Sequence, residues 1–190
     1  MIGIIDYGSG NIRSVQNALT RIGVDCILTD QRSKLDQCDK VILPGVGSAL
    51  SSMQALQSKD LVQWIQSCEM PFLGICLGMQ LLFEYSDEGN TECLSIMSGK
   101  TQKFKASKKV PHMGWNKLTS DTFNVDNDAY CYFVHSYYVP ITEYTVATCR
   151  YQDEVFSSIV KKNNFLGMQF HPEKSGLVGQ QLIVNFLTNE

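Results

Sequence analysis

The chain has 190 residues, 44% hydrophobic and 18% charged, with a formal net charge of −3, which suits one domain spanning 1–190 with one full core. Near-balanced charge argues against a nucleic-acid surface, since the one basic cluster, Lys103, Lys105, Lys108 and Lys109, reads as a solvated strand edge or loop. No uncharged apolar stretch approaches the roughly 18 residues of a membrane span, and the opening Met1 to Asp6 lacks the basic start of a secretory leader, so a soluble, cytoplasmic protein is expected.

In chain order, residues 2–5 read as a strand and 11–22 as a helix, with Asn11 at its N-cap and Gly23 just past its end. Strands follow at 25–29 and 40–43, then one or two helices over 49–68. A buried strand at 71–75 leads into a helix over 77–85 that carries Leu77, Leu81 and Leu82 on one side. Such alternation implies a parallel sheet covered on both faces. Beyond it come short strands at 99–105, 116–119, 130–139, 145–151, 155–161 and 164–170, with a hairpin turn at 162–164. A final helix over 178–187 shows the stripe Leu182, Ile183, Phe186 and Leu187. The expected fold is an α/β three-layer sandwich: a mixed, mostly parallel central sheet, an antiparallel extension, and no internal repeat or linker.

Seven cysteines, an odd count without a Cys-x-x-Cys pair, speak against a disulfide framework or zinc ribbon. Cys26, Cys131 and Cys149 fall in strand-like segments and read as packing residues. The three histidines, His112, His135 and His171, are dispersed, so no metal and no cofactor are expected.

Cys76 differs from the other cysteines. It lies where the period changes from strand to helix, between Gly74 and Gly78, which is the thiol counterpart of the Gly-x-Ser-x-Gly elbow that holds a nucleophile out of its strand. N–H groups at a helix start favour an anion and can stabilise an oxyanion, with Leu77 N–H the first of them. Nearly a hundred residues later His171 ends an apolar run and is followed by Pro172 and Glu173. Pro172 keeps His171 extended, and residues two apart in an extended segment share a face, so Glu173 can orient the imidazole. Nucleophile, base and orienter therefore stand in the order Cys76, His171, Glu173.

Three further motifs carry polar or flexible groups to strand ends. Pro44-Gly45-Val46-Gly47 follows a strand at the position where open α/β sheets bind ligands, and a rotated Val46 peptide would supply a second oxyanion donor beside Leu77. His135-Ser136-Tyr137-Tyr138 could orient a small substrate. The stretch 111–116 reads as a loop carrying Trp115, whose exposure would fit a partner surface. Asp6-Tyr7-Gly8-Ser9-Gly10-Asn11 invites a dinucleotide reading, but Arg13 occupies the third glycine position that the fingerprint needs for helix packing.

Taken together, these segments resemble the class I glutamine amidotransferases with a Cys-His-Glu triad, whose domain has a flavodoxin-like fold. The Asp-Tyr-Gly opening and Pro-His-Met-Gly-Trp-Asn are similar to members that deliver ammonia to a β/α-barrel cyclase in histidine biosynthesis. That resemblance implies that Cys76 attacks the side-chain amide of glutamine while His171, oriented by Glu173, passes a proton to the departing ammonia. It implies Val46 and Leu77 as the backbone oxyanion hole, and Gly45, Gly47, Gln80, Ser136 and Tyr137 as glutamine-binding positions. It further implies a heterodimer with the cyclase, Asn11, Trp115 and Lys174 near the interface, glutaminase activity dependent on the partner and its ligand, and imidazole glycerol phosphate and an aminoimidazole carboxamide ribonucleotide as products. At Ser48-Ala49, where many members carry a bulky aromatic, the chain departs from the pattern; the difference touches packing by the oxyanion loop, not the triad.

Two other enzyme readings share the elbow. One is a paralogue feeding ammonia to a different acceptor, for instance in sugar amidination, and the other a cysteine hydrolase of related fold. The hydrolase leaves Gln80 and the 111–116 segment unexplained. A binding subunit with a relict site is disfavoured by retention of all three triad residues.

Overall fold

A computed structural model describes residues 1–8, 11–105, 109–120 and 129–188. Ser9 and Gly10 of the first loop, and Lys108 of the basic cluster, lie outside the described residues. The elements are β1 (Ile2–Ile5), α1 (Ile12–Arg21), β2 (Cys26–Thr29), α2 (Arg32–Leu35), β3 (Lys40–Gly45), α3 (Ala49–Ser58), α4 (Leu61–Gln66), β4 (Phe72–Cys76), α5 (Leu77–Gln80), β5 (Phe83–Ser86), β6 (Thr91–Glu92), β7 (Met97–Lys103), β8 (His112–Thr119), β9 (Tyr130–His135), β10 (Tyr137–Tyr138), β11 (Thr145–Tyr151), β12 (Glu154–Lys162), β13 (Phe165–Met168), a 3-10 turn (Pro172–Lys174) and α6 (Gly176–Thr188).

One nine-stranded sheet runs in the order β2-β1-β3-β4-β13-β12-β11-β8-β9. From β2 to β13 its strands are parallel, and from β13 to β9 antiparallel. A second, four-stranded sheet, β10-β7-β5-β6, stands beside it. Alternate side chains of the parallel strands enter two separate cores. Ile42, Leu73 and Ile75 meet Ile12, Val15 and Leu19 of α1 and Leu182, Ile183 and Phe186 of α6. Val41, Leu43 and Phe72 meet Leu35, Leu56, Leu61, Ile65 and Met79 from α2 to α5. Helices therefore cover both faces, as expected for strands that are apolar on both sides.

Three expected elements differ from the sequence reading. The helix expected over 77–85 stops after one turn, at Gln80, and residues 83–86 pair as β5 with β6 and β7. Leu81, Leu82 and Phe83 are each fully buried, and a short run buried all round carries no period to separate helix from strand. The loop expected over 111–116 is mostly β8, paired along its length with β9. There the usual pattern is inverted: His112 points inward and is buried, while Met113 and Trp115 point outward at 62% and 57% exposure. The strand expected over 130–139 is also interrupted, at Ser136, where the chain leaves the large sheet for the small one.

No helix among the described residues is long and apolar enough to cross a membrane. The seven cysteines are free thiols, and no group of three or more metal-ligating side chains stands together among the described residues.

Candidate active site

Cys76 is the hinge between β4 and α5. Its φ of 53° and ψ of −108° lie outside the regions that L-residues prefer, a conformation that costs of order 1–3 kcal/mol and persists only when its surroundings enforce it. The enforcement comes from close backbone packing of α5 on β3 and β4. A Cβ placed on Gly74 would sit 2.6 Å from Gly78 O, and one placed on Gly78 would collide with Leu43 O. Only glycine permits both approaches.

Gly45 pairs in register with Cys76, and the chain then passes through Val46 and Gly47 along the same cleft. Ser48, the point of departure from the family pattern, caps α3: its hydroxyl accepts the Ser51 N–H at 3.3 Å.

His171 arrives from the neighbouring strand. Its N–H donates to Tyr132 O at 2.9 Å, while Ser175 Oγ donates to His171 O at 2.6 Å and accepts the Tyr132 N–H at 2.9 Å, which ties the His-Pro-Glu turn to β9. His171 itself is extended, but Glu173 does not reach it along a continued strand. The 3-10 turn at Pro172–Lys174 folds the carboxylate back instead, giving Nδ1 to Oε1 at 2.8 Å with both residues buried. Asn11, expected at the N-cap of α1, makes no side-chain cap. Its Nδ2 turns inward, donates to Glu173 Oε1 and stands 3.3 Å from His171 Nδ1.

Burial works to lower the pKa of His171, but its contacts with Cys76 and Glu173 outweigh that and raise it to about 10. Both contacts favour the protonated ring. Nδ1 is committed to Glu173, leaving Nε2, which has no hydrogen-bond partner, as the nitrogen able to exchange a proton with the cleft.

Cys76, His171, Val46, Gly47, Leu77, Gln80, Ser136 and Tyr137 line one cleft of about 370 Å³, within the usual range of small-molecule sites. Gly45 lies beneath it, against Leu77 and Gly78, and does not line it. Trp115 stands on the outer face of β8, close to Gly176 at the start of α6, and Lys174 lines a separate cleft with Arg21 and Leu177.

Two cleft neighbours were not singled out in the sequence. Glu88, from the β5–β6 turn, lines the cleft and accepts the Ala49 N–H at 2.8 Å; in a run of Asp, Glu, Gly and Asn it reads as an ordinary solvated turn. Gln169, a fully buried amide two residues before His171, lies with its Nε2 3.8 Å from Cys76 Sγ. Its only signal in the sequence is a lone amide in an otherwise apolar run.

Beside the cleft, His112 and His135 form a buried pair, Nδ1 of the first 2.9 Å from Nε2 of the second. Phe133 and Tyr151 stack on His112, with centroids at 4.9 and 4.1 Å. The His135 Nδ1–H donates to Tyr137 O at 2.8 Å, so its Nε2 accepts from His112 Nδ1–H. Burial lowers His112 to about 4 and is the main cause that lowers His135 to about 3. Both rings are neutral when folded but take up protons near 6.5 when unfolded. Their contribution to stability is therefore complete above about pH 6.5 and is lost as pH falls toward 4 and 3. The urea midpoint should drop steeply across that acid range, and a midpoint unchanged there would contradict a neutral buried pair.

A model of the class-I glutamine amidotransferase family matches residues 3–189. The chain is similar to imidazole glycerol phosphate synthase subunit HisH 2 of Legionella pneumophila (strain Lens), 47% identical over 197 residues that cover 100% of this chain and 98% of that protein. It is similar to subunit HisH of the same synthase from Bacteroides fragilis (strain YCH46), 46% identical over 193 residues, 98% of each chain. In fold it is like a crystal structure of a glutamine amidotransferase, with a TM-score of 0.78 at 17% identity over 98% of this chain and 96% of that one.

Proposed function

The chain belongs to the class-I glutamine amidotransferases, and on that premise we propose that it is the glutaminase subunit of an imidazole glycerol phosphate synthase, a cytoplasmic enzyme of histidine biosynthesis. Its 190 residues act as one glutaminase domain. The observation that carries this reading is the strained Cys76 facing the same cleft as His171, whose ring is paired with Glu173, in a chain 47% identical over its whole length to a relative of that name.

With His171 carrying the proton, Cys76 attacks as a thiolate, the more nucleophilic form of sulfur. The sulfur bonds to the side-chain carbonyl carbon of glutamine, and the oxyanion is met by the backbone N–H groups of Val46 and Leu77. His171 Nε2 then protonates the departing nitrogen, the C–N bond breaks, and ammonia leaves a γ-glutamyl thioester. Now neutral, His171 takes a proton from water as that water attacks the thioester; glutamate is released and the sulfur regains its proton partner. Throughout, Glu173 holds Nδ1 and keeps the ring aligned, and Asn11 holds Glu173.

The α-amino end of glutamine suits Glu88 and the amide oxygen of Gln80, because both Gln80 N–H donors face protein acceptors. Backbone at Gly47, Ser136 and Tyr137 completes the pocket. Free ammonia is protonated and non-nucleophilic in neutral water, so a dry passage to a partner is the physical requirement. A β/α-barrel cyclase using the surface near Asn11, Trp115 and Lys174 meets it. No metal or cofactor enters this chemistry.

Glutamate release from glutamine, measured for this chain alone and with a barrel cyclase plus its ribonucleotide ligand, tests the reading. Stimulation by at least about tenfold is expected, the size of an ordinary coupling between sites. Turnover indifferent to the cyclase would point to another acceptor.

A further inference from the structure

Gln169 has no solvent exposure and takes no part in the steps above, yet its hydrogen bonds have a direction that can be assigned without ambiguity. Tyr137 O is a carbonyl and can only accept, so the end of the Gln80 side chain 2.8 Å from it is the NH2 group. The same Gln80 Nε2 lies 2.9 Å from the Gln169 side chain, which therefore presents its oxygen. The opposite end of Gln169, Nε2, is then the one 3.8 Å from Cys76 Sγ, as a donor.

The Tyr137 carbonyl is itself held on its other side by His135, which is held by His112, whose Nε2 lies 3.3 Å from Asn116 Nδ2. Hydrogen bonds of assigned direction thus link β8 to the sulfur, with His135 and Gln80 both donating to the Tyr137 carbonyl. Beside His171, which interacts with the sulfur from the cleft, Val134 O lies 3.9 Å from Sγ and, being an acceptor, suits only the thiol. An anionic sulfur needs a donor on its protein side, and Gln169 supplies one.

We propose that Gln169 is a positioning residue for the nucleophile: locked through Gln80 onto the Tyr137 carbonyl, its amide donates to Cys76 Sγ, favours the anion and aims it into the cleft. The proposal rests on the glutaminase reading for its purpose, but not for its test. Gln80 acts on the sulfur through Gln169, in addition to any contact of its oxygen with substrate.

The test is the rate of Cys76 alkylation by iodoacetamide as a function of pH in the full chain, read by mass spectrometry, with the other six cysteines as internal reference for unfolding. Gln169→Leu removes the donor. Gln169→Met keeps the length of the side chain and removes the donor without adding a charge, so it reports even if the leucine variant folds poorly. Both should alkylate Cys76 about tenfold more slowly at neutral pH, the scale of one charge-assisted hydrogen bond, with the half-maximal pH moved upward. Glutamate release with the cyclase present should lose kcat while KM stays close to wild type. Wild-type alkylation rates and pH midpoint in both variants would overturn the inference while leaving the glutaminase intact. A wild-type Cys76 no more reactive than the other cysteines would remove the nucleophile assignment and this inference with it.

Discussion

Cys76→Ala should lower glutamate release by roughly four to six orders of magnitude, the loss seen when a nucleophile that acts as part of a unit is removed. Alanine removes the sulfur alone and can occupy the same positive-φ position at a cost close to that of cysteine, so the elbow survives. Because Cys76 is buried at the base of its cleft, binding to a barrel partner should stay near normal. The cyclase should also still work when ammonia is added directly. Measurable glutamine turnover in the alanine variant would sink the assignment of Cys76; loss of partner binding would show that the substitution disturbs more than chemistry.

Gly78→Ala should be among the most damaging single methyl groups that can be added near the site. Its Cβ would meet the Leu43 carbonyl oxygen and also lie near Leu43 Cγ. A backbone atom of a central strand cannot turn aside as a side chain does. Overpacking commonly costs about 1–3 kcal/mol, and here relief requires moving α5 off β3 and β4. We expect a loss of at least about 3 kcal/mol in urea unfolding, together with loss of glutamate release, since the shift would relax the φ of Cys76. Wild-type stability and turnover in this variant would show that the elbow tolerates more space than its glycines imply.

Much of the fold was legible because the first half follows a simple rule. Strands apolar on both sides alternate with helices that carry one apolar stripe, as in Ile12, Val15, Ala18 and Leu19, and that pattern has few solutions other than a covered parallel sheet. The hairpin at Lys162 to Asn164 was legible for a local reason, since Asn163 takes the positive φ of 52° that such turns use. Where the rule failed, burial and polarity had parted company. His112 is polar and inside, Trp115 apolar and outside, and the strand that holds them does not look like one. Leu81, Leu82 and Phe83 are buried on every side, so no face was marked.

The sequence by itself determined the chemistry on offer: a cysteine between glycines at a strand-to-helix change, a histidine at a second strand end, a carboxylate two residues on, and a run of motifs in family order. Those features are local, and local constraints of φ, turn type and spacing are written in short stretches of chain. Only the tertiary structure decided how the groups meet. It set Glu173 against His171 through a 3-10 turn, drew Asn11 inward from a helix start to the carboxylate, brought Glu88 to the mouth of the cleft, and oriented Gln80 and Gln169 from a carbonyl far away in the chain. Hydrogen-bond direction in a buried amide depends on what lies across the space between elements, and no pattern along one strand records that.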